Sequence, residues 1–69
     1  MNAEEMLRAY DELLDGGDGA STLLACDQQE ATDFRAFCYR NGIEVEVRKE
    51  AAGVYRFERY DREVRRAKA

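Results

Sequence analysis

Two cysteines, Cys26 and Cys38, are the residues of this sequence best suited to covalent chemistry, and the chain contains no histidine to activate either one. Without imidazole there is no His general base, no Ser-His-Asp or Cys-His pair, and no His ligand for a metal. Two thiols alone fall short of a four-ligand structural zinc site, so neither a metal nor a cofactor is expected. Cys26 is the candidate thiol. It ends an apolar run directly before a helix start, where the helix dipole favours a thiolate, although Asp27 and Glu30 at the same place act in the opposite sense. Cys38 shares a helical face with Ala31, Phe34 and Phe37 and is expected to pack as a small hydrophobe. Along the second helix the two cysteines lie about three turns apart, too far for a disulfide.

The other charged and glycine-rich stretches read as surface. Arg59, Arg62, Arg65, Arg66 and Lys68 form the densest basic cluster, near Tyr55, Phe57 and Tyr60, which could stack bases. Glu58, Asp61 and Glu63 interrupt that cluster and the chain carries a net charge of −4, so nucleic acid is the weaker of the partner readings. Gly16-Gly17-Asp18-Gly19 follows a helix and lacks a nearby Lys, which makes it a turn instead of a phosphate loop. Asp11, Glu12 and Asp15 read as a solvated helix face. Charge is unevenly spread: residues 1–33 sum to −8 and residues 34–69 to +4, a dipolar arrangement suited to docking by charge.

These side chains are positioned by five elements. Met6, Leu7, Tyr10, Leu13 and Leu14 mark the apolar stripe of a helix from about Ala3 to Asp15, and the glycines that follow end it. Ser21 to Cys26 reads as a buried strand. Asp27 with Glu30 is a capping-box start for a second helix running to about Arg40, stopped by Asn41-Gly42. Ile43 to Lys49 alternates apolar and charged residues as a half-buried strand, and Val54 to Tyr60 supplies its hairpin partner after a turn at Ala51-Ala52-Gly53. On that hairpin Arg56 and Glu58 share a face and are expected opposite Glu44, Glu46 or Arg48 as cross-strand charge pairs. The order is α-β-α-β-β. We expect an α+β fold, a two-layer α/β sandwich with two helices on one face of a mixed three-stranded sheet, the first two strands parallel through a helical crossover. Residues 1–60 form the single domain and residues 61–69 a charged C-terminal tail.

Length and composition set the remaining bounds. A chain of 69 residues buries only about 60% of its unfolded surface, so one small core must carry its stability. Hydrophobic content of 45% beside 38% charged residues fits an ordered domain. No apolar run approaches a membrane span, and two cysteines make no disulfide framework, so a soluble cytoplasmic protein is expected.

From Gly19 to about Phe57 the sequence resembles the TusA/SirA family of sulfur-carrier proteins. The resemblance is carried by Ala25-Cys26-Asp27, Asp33, Phe37-Cys38, Gly42, Glu44 and Tyr55-Arg56-Phe57, which follow the family's order and spacing. It implies a β-α-β-α-β-β fold whose first strand has no counterpart after Met1. Members similar to this chain carry a Cys-Pro-x-Pro motif at the first helix, and those positions fall near Asn2 to Glu5, where there is neither cysteine nor proline. Prolines common in the family's second helix are replaced by Gln28 and Arg35. The resemblance thus implies a protein related to sulfur relay that acts as a non-catalytic binding or accessory member. The alternatives are a thiol or persulfide carrier using Cys26, and a nucleic-acid or protein docking module using the basic tail. With the family's first strand missing, Ser21, Thr22, Leu23, Leu24 and Ala25 are expected to form an exposed sheet edge that contacts a protein partner or a second copy.

Overall fold

The computed structural model of the protein describes residues 1–62. Helix α1, Ala3–Gly16, starts at Asn2, whose side chain accepts the Glu5 N–H at 2.8 Å, and Glu4 and Glu5 sit in its positive first turn. Ala9 and Leu13 are its fully buried residues, with Met6 and Tyr10 packed beside them. Leu7 and Leu14, expected in the same stripe, remain about half exposed (51% and 49%). The apolar stripe is wider than the strip of sheet beneath the helix, so its flank stays wet. Gly16 closes the helix where a methyl group would come within 2.6 Å of the Ala20 Cβ, and Gly17 (φ 69°) turns the chain.

Strand β1, Ser21–Ala25, alternates: Thr22 and Leu24 are buried, while Ser21, Leu23 and Ala25 are exposed. The expectation of a buried strand is corrected here to a half-buried one, because both described helices cover the same face of the sheet. Helix α2, Gln28–Arg40, begins with the expected capping box: Asp27 Oδ1 accepts the Glu30 N–H at 2.8 Å, and Glu30 Oε1 accepts the Asp27 N–H at 3.1 Å. Its buried face is Ala31, Phe34 and Cys38. Strands β2, Glu44–Ala51, and β3, Val54–Tyr60, form a hairpin across Ala52-Gly53, with an irregularity between Lys49 and Ala51.

The fold is α+β, two helices over a three-stranded sheet of order β1-β3-β2. Both hydrogen-bonded pairs are antiparallel, which corrects the expected mixed sheet. The helical crossover does leave β1 and β2 running in the same direction. The hairpin then folds β3 back between them, so the two parallel strands never touch. Helix α1 packs over β1 and α2 over β2. The centre of the core is Phe57 on the middle strand, fully buried, with the Phe34 ring edge-on at 4.8 Å. Phe34 stacks on Phe37 at 6.3 Å, and Tyr10 meets Phe37 edge-on at 5.3 Å, joining the two helices.

Register brings like charges together on the open face: Glu46 lies opposite Glu58 and Arg48 opposite Arg56. The expected opposite-charge rungs do not form. Inward placement of Val45, Val47 and Phe57 sets the register, and the wet residues must accept it. Arg56 instead bonds the Glu50 carboxylate at 2.6 Å, at the irregular end of β2, and the Ser21 hydroxyl at 3.2 Å on the far strand. Its guanidinium therefore ties both edge strands to the central one.

Candidate functional site

Cys26 lies just past β1, directly before the Asp27 cap, and its N–H donates to the Gly53 carbonyl at 2.9 Å. Only 7% of it is exposed. Burial pushes its thiol above the usual range, and the carboxylates of Glu30 and Asp27 push it further; the N-terminal ammonium opposes them weakly. The cap that starts α2 thus adds to burial in raising the Cys26 thiol instead of lowering it. Cys38 is fully enclosed beneath α2, and burial alone raises its thiol to about 11. Both cysteines are free. A thiol that stays protonated and out of solvent is a poor nucleophile.

The two described residues of the basic cluster, Arg59 and Arg62, are committed elsewhere. The Arg59 guanidinium reaches across to the end of α1, donating to the carbonyls of Leu13 at 3.0 Å and Leu14 at 3.2 Å, and pairs with Asp61 at 3.2 Å. Helix α1 has no basic residue in its own last turn, so this cation from β3 supplies the missing C-terminal cap. Arg62 pairs with Glu44 at 2.8 Å. Arg65, Arg66 and Lys68 lie outside the described residues.

Two further contacts join separate elements without a clear signal in the sequence. The buried Thr22 hydroxyl donates to Glu12 Oε2 at 2.6 Å, while Arg8 holds the other oxygen of that carboxylate at 2.9 Å. The Thr22 bond, reinforced by Arg8, holds Glu12 below the ordinary carboxylate value. An acid that reads as solvent-facing is therefore the partner of the one buried polar residue in β1, and only the inward position of Thr22 hints at the need for it. Glu30 accepts from the Met1 ammonium, which closes the N-terminal end of α1 onto α2.

A shallow depression of about 330 Å³ runs along the outer edge of β2, lined by Arg35, Val45, Glu46, Val47, Arg48 and Tyr60. It mixes both signs of charge. Among the described residues no group of three acids or cysteines could hold a metal, and no helix is long and apolar enough to cross a membrane.

The stretch Ser21–Ala25 occupies one margin of the sheet, with β3 on its inner side and no strand on its outer side among the described residues. The structure thus brings Ser21, Leu23 and Ala25 together on an open edge, turns Thr22 and Leu24 inward, and leaves the two thiols unbridged. Compared with known proteins, the chain matches no family model, no curated protein and no solved structure.

Proposed function

We propose that this protein is a TusA/SirA-like domain related to sulfur relay that acts by binding a partner, without carrying sulfur on a thiol of its own. The observation that carries this reading is the enclosure of both thiols, each raised in pKa by burial. At the start of α1, where the resemblance puts the family's reactive cysteine, Asn2 caps the helix and Glu4 and Glu5 fill its first turn. The positive end of that helix is satisfied by a neutral cap and two carboxylates. The α-β-α-β-β order and the placement of the β hairpin agree with the family's arrangement after its first strand.

The test is sulfur loading. Folded protein is incubated with a low-molecular-weight persulfide donor and its intact mass measured, with the denatured chain as control. No sulfur adduct is expected on the folded protein and ready adduct formation on the denatured one. An adduct on Cys26 of the folded protein would establish the carrier alternative instead.

A further inference from the structure

We infer that the outer edge of β1 is a self-recognition surface, on which a second copy of this chain adds its own β1 in antiparallel fashion about a two-fold axis at Leu23. This deepens the binding reading by naming the partner, and it involves neither thiol.

The hydrogen-bonding phase of the strand is the first ground. Arg59 N–H donates to the Ala20 carbonyl at 2.8 Å and Cys26 N–H to the Gly53 carbonyl at 2.9 Å. In an antiparallel ladder the bonded residues alternate, so Thr22 and Leu24 turn their backbone groups to β3, between the Ala20 carbonyl bonded to Arg59 and the Cys26 N–H bonded to the hairpin turn at Gly53. The N–H and C=O of Ser21, Leu23 and Ala25 consequently point to the free edge. A two-fold at Leu23 sets Leu23 against Leu23 of the second copy, and Ser21 against Ala25 in both directions. Every outward group of the strand then finds a partner.

The second ground is the contrast between the two margins of the sheet. Strand β2, the other edge, carries Glu44, Glu46, Arg48, Lys49 and Glu50 and an irregular register, the usual protections against edge pairing. Strand β1 reads S-T-L-L-A and has no charge, no proline and no bulge. A self-pairing about Leu23 opposes only neutral residues. It also covers Leu23, which stands 45% exposed on the open face, with its own copy.

Size and charge fix the strength of the contact. Five residues of strand bury far less than the ~1,600 Å² of a standard stable interface, so the dimer is reversible and concentration-dependent. Because α1 lies over β1, pairing sets the two α1 helices side by side. Each carries Glu4, Glu5, Asp11, Glu12 and Asp15 against Arg8 alone. Their repulsion is screened by salt, so the dimer tightens as ionic strength rises from about 0.01 M to about 1 M.

Sedimentation equilibrium over a range of protein and salt concentrations tests this, together with residue-resolved amide exchange. Expected is a salt-promoted dimer in which Ser21, Leu23 and Ala25 amides gain protection with concentration while Thr22 and Leu24 do not change. Leu23→Lys places like charges across the two-fold at an exposed site. It should weaken dimerisation about tenfold or more, with the circular dichroism of the folded chain retained. A chain monomeric at every concentration and salt, with rapid exchange at those three amides, would overturn the inference. So would a dimer indifferent to Leu23→Lys, or β1 protection that arises only on adding a different protein.

Discussion

Replacing Phe57 with alanine is expected to remove a third or more of the protein's stability, with a large fall in the urea midpoint. Phe57 is fully buried on the central strand, beneath both helices, and makes the edge contact at 4.8 Å that joins the sheet to Phe34 of α2. Removing a ring from such a site costs about 3–5 kcal/mol, because the lost burial is compounded by a cavity that rigid neighbours cannot fill. A domain of 69 residues has roughly 3–10 kcal/mol in total. Strand β3 has sheet on both sides and helices above, and it has no freedom to collapse into the gap. Urea denaturation followed by circular dichroism reads the effect, with Phe57→Leu as the milder control. A Phe57→Ala protein whose midpoint matches the parent would show that the core is centred elsewhere.

Arg59→Ala is expected to cost about 2 kcal/mol of stability, through the end of α1. Its guanidinium is the donor for the Leu13 and Leu14 carbonyls and the partner of Asp61, and its side chain is only 16% exposed. Without it those carbonyls fall back on water, the last turn of α1 frays, and Leu13 loses part of its cover. Lysine in its place keeps the charge but not the fork that spans two carbonyls, so Arg59→Lys should fall between the two. Denaturant midpoints measure the order Arg, Lys, Ala. If Arg59→Ala leaves stability untouched while reducing affinity for an RNA probe, the capping role is wrong and the basic residues serve nucleic acid.

The elements were largely legible because their signals are local. Asp27 with Glu30 marks the start of α2 within a residue, Gly42 at φ 86° marks its end, and Gly53 the hairpin. What could not be read depends on which strand lies beside which. The alternation of Ile43, Val45 and Val47 assigns a wet and a dry face but says nothing of neighbours, so the insertion of β3 between β1 and β2 went unseen. The same gap hid the like-charge rungs at Glu46 and Arg48, which follow from register alone. S-T-L-L-A looks buried by composition. Its true half-exposure follows from the absence, among the described residues, of any layer over the outer face. Arg59 reads as part of a basic cluster because its targets, the last carbonyls of α1, are more than forty residues away along the chain. Of the candidate site, the burial of Cys38 is visible in its apolar helical face. The enclosure of Cys26 is not, since it depends on the Gly53 turn arriving beside it.

The central claim, that the protein works without a reactive thiol, is tested most directly by the alkylation rates of Cys26 and Cys38 with iodoacetamide near neutral pH, resolved by peptide mass spectrometry. A thiol held near 11 has about two orders of magnitude less thiolate than a free cysteine, and a buried one reacts only when the structure opens. Both residues should therefore label far more slowly than the denatured chain, Cys38 slowest, and both should become fast in denaturant. Labelling of Cys26 in the folded protein faster than in the denatured chain would contradict the account.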